Sequence, residues 1–480
     1  MKNLPFSRSL WILFLAVPLL SAQETLPRKY DLRDVGGITP IKRQQGGTCW
    51  AHGTMAAIES NLLVSGSWKK VGDGDYPALA EYHLDWWNGF NQNRNSDHPD
   101  AAKDRTGLVV HQGGDYRVSA AYISRGDGVV CCPLTDKRPL SLPILGIAAD
   151  PSWFKYIPSH VDPRYKKFYA RDIEWFTIGD NLEGIDAIKR RVMTQGAMGT
   201  AYAVNKGLLS KDFVHYQNAE HKSKPNHAVA IVGWDDDKQT ADENKKLPKP
   251  GAWLIKNSWG TASGDKGFYW ISYYDKVCCR DPEMGAVSFR NVEPMRYSFV
   301  YFHDYHGWRD TMKDVNKAFN QFTAAADHKI GAISFYTAAD NVRYTAKIYS
   351  KFEKGELQGL RATQSGEIAV KGLHTVDLGT TINVAKGETF IVCLEVSGGG
   401  MAFDRTSEIE VLLQQKKGKG AGGPRGPNGG PIVISKANAR ESFYYDRTAW
   451  RDLYEHRFNN PMWATFDRTA NFCMKALVVN

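Results

Sequence analysis

The chain of 480 residues is poor in several features that would have marked other protein classes. Beyond its first two dozen residues no run stays apolar for the ~20 residues that a membrane-spanning helix needs, so the sequence predicts no membrane span. No arginine-rich block or basic helix stands out. The 61 Lys and Arg are interleaved with 52 Asp and Glu, leaving a net charge of +9, which argues against nucleic acid as a partner. Cysteine is scarce, 7 in all, and no C-x-x-C occurs, which argues against structural zinc. The spaced acids and glycine of a calcium loop are also missing. Asp235, Asp236 and Asp237 are consecutive, and three consecutive acids on extended chain cannot all face one ion, so they read as a solvated turn. No metal and no cofactor is expected. Wholesale disorder is excluded by 42% hydrophobic and 24% charged residues.

What is present begins with a leader. Lys2 and Arg8 precede an apolar run from Leu10 to Leu20, and small residues stand at Ser21 and Ala22. This pattern is a secretory signal peptide over 1–22, and it predicts a secreted, extracellular or periplasmic product. What remains is more than one hydrophobic core usually organises, so two domains are expected, 23–294 and 295–480. Residues 415–431, rich in Gly, Pro and Lys, are expected to form a flexible loop, because they bury too little apolar surface to offset their ordering entropy.

An odd cysteine count in an exported protein points to one special thiol. Cys49 follows PIKRQQGGT and opens WAHGTMAAIESNLL, which reads as a helix with Trp50, Ala57, Ile58 and Leu62 on one face. A glycine-containing loop thus delivers Cys49 to a helix N-terminus, where free N–H groups and the helix dipole favour the nucleophilic thiolate. A thiolate needs a proton acceptor and a group that aims it. His227 lies in KPNHAVAIVGWDDD, at the head of a strand-like apolar run. Asn257 ends a second such run in GAWLIKNSWG, between Trp253 and Trp259. An amide oxygen accepting from one imidazole nitrogen would turn the other toward the thiol.

These three motifs, in this order, resemble the papain family of cysteine peptidases: QQGGTCWA, NHAVAIVGW and WLIKNSWG. ALAEYHLDWWN and QGGDYRVSAAYISRG add weaker matches. The resemblance covers about Lys29 to Asp275 and implies a two-lobed α+β fold, one lobe helical and one β-rich. It implies Cys49 as nucleophile, His227 as base and then acid, and Asn257 as the orienting residue. Gln44, with the Cys49 N–H, would stabilise the oxyanion, Gln45 being a second candidate because the loop is one residue shorter than is usual. Gly113 and Gly114 would pair with substrate backbone, and Trp259 would shield the histidine and asparagine. A mutually stabilised thiolate and imidazolium would lower the thiol pKa and raise that of the histidine. His52 reads as a packed polar residue. The stretch between Cys49 and His227 is longer than usual, and the excess is assigned to insertions between Pro133 and Asn218, including WFKYIPSHVDPRYKKFYARDIEWF. The few residues between Ala22 and Tyr30 leave no room for the family's inhibitory pro-segment.

The other six cysteines can pair, Cys131 or Cys132 with Cys278 or Cys279 across the lobes, and Cys393 with Cys473 across neighbouring strands. After Pro294 the pattern changes to short alternating strands, such as RYTAKIYS, TFIVCLEV and NFCMKALV, which predict an all-β sandwich. This part resembles the lectin-like β-domains that follow papain-type peptidases in secreted bacterial and archaeal proteins. Aromatic clusters near Phe299–Trp308 and Glu441–Trp450 would then stack on sugar rings, with Asp304 and Asp446 bonding hydroxyls. The functional expectation is a secreted cysteine endopeptidase acting on proteins or peptides, with a glycan or cell-wall ligand held by the C-terminal domain. The alternative is a catalytically silent binding or adhesion protein on a peptidase scaffold.

Overall fold

The computed structural model describes residues 25–71, 74–131, 157–409, 423–458 and 467–480. The expected leader, Cys132 and residues 414–422 lie outside them.

The helical lobe is organised around the helix Cys49–Val64, whose residues from Cys49 to Leu62 are buried except Ala56. A helix buried on every side forms the centre of a lobe rather than its surface. Packed on it are Glu81–Trp87 and Tyr116–Ser124. The second of these starts at Asp115, whose carboxylate accepts from the Val118 N–H at 2.7 Å and satisfies one of the free donors of the first turn.

The β-rich lobe is an antiparallel run in the order Lys166–Phe176, Ala286–Pro294, Met198–Tyr202, His227–Asp235, Ala252–Lys256 and Phe268–Ser272. The His227 strand has neighbours on both edges and is buried at every residue but its last, so its near-continuous apolar sequence is that of an interior strand. Lys166–Phe176, inside the stretch read as an insertion, is a paired strand, matched with Ala286–Pro294 from Phe168↔Pro294 to Phe176↔Ala286. Its charges hid its strand character. Glu174 pairs with Arg191 and Arg290, and Arg171 with Glu293.

The C-terminal region is a sandwich. Its six-stranded sheet runs Glu356–Ile368, Val342–Glu353, Thr389–Val396, Lys317–Thr323, Ser442–Tyr445 and Trp450–Asp452. Between this sheet and the strands His328–Thr337 and Met474–Val479 lie Phe322, Phe335, Phe390, Leu394 and Met474. The second layer does not stop at the domain boundary. The strand Gly372–Val384 pairs with Lys166–Phe176 through Gly372↔Glu174, Leu373↔Ile173 and His374↔Asp172, so one sheet runs through both regions. Trp50 and Tyr116 of the helical lobe share a hydrophobic cluster with Trp308, Tyr336, Leu373 and Leu477.

Two cysteine expectations change. Cys393 lies inside the six-stranded sheet with Phe319, Ile391 and Phe443, whereas Cys473 adjoins the Met474 strand in the other layer, so they are not neighbours and both are thiols. Both are buried, because the six-stranded sheet covers apolar side chains on both faces and Cys473 packs in the cluster shared with the helical lobe. Cys278 and Cys279 sit in the β-lobe core and Cys131 in the helical-lobe core. The described end of the expected flexible loop is a turn. Its Gly426 N–H donates to Gly430 O at 2.9 Å, and Glu408 accepts from the N–H groups of Asn428 and Gly430.

Candidate active site

The loop before Cys49 is fastened to the segment that follows the strand Ala252–Lys256. Gln44 N–H donates to Ser258 O at 2.7 Å, Gly260 N–H donates to Lys42 O at 3.0 Å, and Arg43 bridges Trp259. Gly46, at φ 63°, turns the chain in the left-handed region that glycine enters without a Cβ clash. These contacts bring Cys49, His227 and Asn257, far apart in sequence, to one place between the lobes.

Cys49 opens its helix and is fully buried. Burial pushes its thiol up to about 12, against the N–H groups of Ala228, Trp50 and Cys49 itself, which favour the thiolate. His227 is also fully buried, and its Nε2 lies 2.8 Å from Asn257 Oδ1. Asn257 Oδ1 accepts as well from the Ser258 N–H at 2.8 Å, which marks it as the oxygen. Nε2 therefore carries the proton, and Nδ1 is a lone pair with no hydrogen-bond partner. Burial draws His227 down to about 4, against the bond to Asn257. Both shifts oppose the expected ionised pair. In each group desolvation is the largest cause of the shift.

The other expected site residues are placed around this centre. Trp259 stacks on the His227 ring at 4.4 Å and 20°. Gln44 accepts from Ser258 Oγ at 2.7 Å through Oε1 and donates from Nε2 to Gly46 O at 2.8 Å. An amide nitrogen carries two N–H groups, so this bond orients it while one N–H remains for an oxyanion. Gln45 instead uses its backbone, its N–H donating to Tyr82 Oη at 3.0 Å. Gly47 N–H donates to His111 O at 2.7 Å, which seats the loop of Gly113 and Gly114 against the start of the Cys49 helix. Gly113 has φ 110°, and a Cβ on Gly114 would stand 2.5 Å from Trp50 Cε2. Both positions exclude a side chain. His52 packs against Tyr82, with Nδ1 2.9 Å from Thr48 O.

Sequence reading missed a buried ionic network behind the site. Lys42 Nζ lies 2.5 Å from both Glu59 and Glu81. Lys256 Nζ donates to Thr39 Oγ1 at 2.8 Å, and Thr39 Oγ1 donates to Glu59 at 2.6 Å. The network joins the Cys49 helix, which carries Glu59, to the strand that ends beside Asn257. Burial holds Lys256 down at about 8. One signal was available: Glu59 is the only acid in a helix that reads as buried, and a buried acid requires a partner.

Asp235, Asp236 and Asp237 face Lys29, Lys189 and Arg28. Among the described residues Asp97, His306 and Asp404 form one group with ligand-type atoms within 4.8 Å of one another, at the seam of the two regions. They are tied into protein bonds, His306 to Ser435 Oγ and Gly89 O, Asp404 to the His306 N–H, and Asp97 to the Lys436 N–H. The proposed sugar contacts need correction. Asp304 is fully buried and paired with Lys475. Asp446 caps its own turn, accepting from Thr448, Ala449 and Arg451. Trp308 packs at the seam beside Trp175, while Trp450 joins Phe319 and Phe352 on the six-stranded sheet.

Comparison with known proteins agrees with this architecture. Residues 164–286 match the family described as papain family cysteine protease, and residues 300–419 match the lectin like domain. Cathepsin K of Gallus gallus is 26% identical over 254 residues, 53% of this chain and 61% of the relative. Pro-cathepsin H of Bos taurus is 26% identical over 258 residues, 52% of this chain and 62% of the relative. The chain thus spans less than two thirds of the length of either. The crystal structure of the cysteine protease and lectin-like domains of Cwp84, a surface layer associated protein of Clostridium difficile, has a TM-score of 0.69 at 21% identity and covers 95% of this chain and 90% of that one. The chain therefore carries a papain-family cysteine protease domain, in the papain-like two-lobed fold, followed by a lectin-like β-domain.

Proposed function

We propose that the protein is a secreted cysteine endopeptidase that hydrolyses peptide bonds through a thioester on Cys49. The observation that carries this reading is the orientation of His227: Nε2 is held by Asn257, Trp259 covers the ring, and Nδ1 is buried without a partner. Leaving a buried acceptor unsatisfied costs about 1–3 kcal/mol. An open lone pair on the nitrogen opposite the Asn257 bond is what a general base requires.

As substrate binds, Nδ1 takes the thiol proton and Sγ attacks the peptide carbonyl carbon. The resulting oxyanion is met by the Cys49 N–H and the remaining N–H of Gln44, donors of a kind worth roughly 3–4 kcal/mol each in the transition state. The imidazolium then protonates the departing amine, leaving an acyl thioester. Water loses a proton to Nδ1 and attacks that thioester, which restores the thiol. Gly113 and Gly114 would pair through their main chain with an extended substrate. Export rests on the leader at 1–22 and fits a described chain without a helix long and apolar enough to cross a membrane. The lectin-like domain supports a glycan or cell-wall ligand, which the buried Asp304 is not placed to meet.

Rapid quenching of the mature protein with an activated peptide ester tests the mechanism. A burst stoichiometric with enzyme, and an acyl mass on the Cys49 peptide, are expected. Hydrolysis with no thioester, or an acyl group elsewhere, would overturn it.

A further inference from the structure

Cys278 and Cys279 adjoin a turn at the end of the β-rich lobe, and three features set them apart from ordinary core thiols. Their Sγ atoms are 3.8 Å apart, so the two side chains face each other rather than opposite sides of the chain. Cys279 has φ 61°, a left-handed conformation uncommon for a residue with a side chain. Both are buried, and Thr200 Oγ1 lies 3.9 Å from Cys278 Sγ and 3.7 Å from Cys279 Sγ.

The surroundings hold this geometry firmly. Asp275 accepts from the N–H groups of Val277 and Cys278 at 3.0 and 3.1 Å, and from Gln217 N–H at 3.0 Å. Cys279 N–H donates to Thr200 Oγ1 at 3.3 Å, and its carbonyl accepts from Ile178 N–H at 2.9 Å. Thr200 belongs to the strand Met198–Tyr202, which pairs with the His227 strand through Tyr202↔His227. The pair thus joins the turn to a strand adjacent to the catalytic one.

We propose that Cys278 and Cys279 are a redox modification site: a vicinal dithiol that closes to a disulfide between adjacent residues when the protein meets a disulfide oxidant. The two thiols lose two protons and two electrons to form one S–S bond, and the oxidant, a small-molecule or protein disulfide, is reduced to two thiols. Hydrogen bonding to Cys279 and burial hold the Cys278 thiol well above the ordinary range, so the thiolate that exchange requires is scarce in the folded protein. The bond therefore forms before the turn is buried, and the finished fold protects it from reduction. Its consequence is local. The loop it closes is minimal, so little chain entropy is removed from the unfolded state, and the bond acts mainly by fixing the left-handed turn.

Occurrence in the cell rests on the export proposed above, but the chemistry does not. Mature protein is refolded in mixtures of oxidised and reduced glutathione, quenched with an alkylating agent in denaturant, digested, and mapped by mass. In the oxidised mixture the fragment containing both residues should be lighter by two hydrogens, linked to no other fragment, and unalkylated. Strong reduction in denaturant should make both thiols alkylatable, while the same reductant on the folded protein should leave them protected. Two alkylated thiols in the oxidised mixture, or a link from this fragment to one containing Cys131 and Cys132, would overturn the proposal. A protein that never acylates Cys49 yet shows the intact local link would overturn the peptidase reading alone.

Discussion

The two regions treat similar-looking sequence in opposite ways. In the papain-family part, the residues whose motifs suggest chemistry converge, and the central one is left incomplete: His227 has one nitrogen bonded to Asn257 and the other open. In the lectin-like part, aromatic and acidic motifs of comparable prominence are engaged within the fold. Asp304 is paired through Oδ2 with Lys475 in the interior, with its Oδ1 left without a hydrogen-bond partner, Asp446 is bonded to its own turn, and Phe319, Phe443 and Trp450 pack on one another. A cluster of aromatics and acids is thus ambiguous between binding and packing.

Four changes would break or sharpen this contrast. The largest effect is expected from Cys49→Ala, which should abolish peptide hydrolysis while leaving the thermal unfolding midpoint close to that of wild type, because a single sulfur is removed. Next is Asp304→Asn. It leaves Lys475 buried beside a neutral group, and breaking a buried pair typically costs about 3–5 kcal/mol. The loss should appear as a lower denaturation midpoint, and an apolar replacement of both partners should recover much of it. An unchanged midpoint would mean that Asp304 is more accessible than the structure shows.

Asn257→Ala comes third. Losing the acceptor frees the His227 ring, and misplacement of a catalytic group by about 1 Å can cost roughly 100-fold, so kcat should fall by about that factor with KM little changed. The smallest effect is expected from Asp446→Ala, which removes turn bonds at an exposed site and should scarcely move the unfolding midpoint. If it abolished glycan retention by the full chain, the lectin-like part would have a sugar-binding acid after all.

The pH dependence sharpens the reading of the papain-family part. His227 is drawn down to about 4, so its basic form survives acidification until well below the ordinary imidazole range. The acid limb of kcat/KM should therefore fall between the usual value near 6.5 and about 4. Stability linkage has the same sign. A histidine whose folded pKa lies below its unfolded one contributes stability that is full above the unfolded value and lost as pH falls through the folded one. Cys49, raised by burial to about 12, contributes stability present below the ordinary thiol range and lost as pH rises toward that value. An acid limb at or above 6.5 would mean that His227 is less desolvated than the structure indicates.

The positions of the proposed site residues on the fold were legible because they stand at element boundaries. Cys49 at a helix start, His227 at a strand start and Asn257 after a strand end are read from apolar periodicity and its interruptions. The ionised state of the pair was not legible, because it depends on burial and contact that no motif encodes. Nor was the Lys42, Glu59, Glu81 and Lys256 network, whose members are separated by as many as 39 residues even within one ion pair. The strand Lys166–Phe176 was missed because its charges answer to cross-strand partners, and the shared sheet because a three-residue pairing at Gly372–His374 carries no signal of its own. The pairing of Cys393 with Cys473 failed for the related reason that parity counts thiols but does not place them.

Treatment of the purified mature protein with a thiol-directed epoxide, followed by mass mapping of the adduct, tests the central claim most directly. The account predicts one equivalent of label on Cys49, loss of peptide hydrolysis in proportion to labelling, and much slower labelling in His227→Ala. Label distributed over other cysteines, or hydrolysis that persists once Cys49 is fully modified, would contradict it.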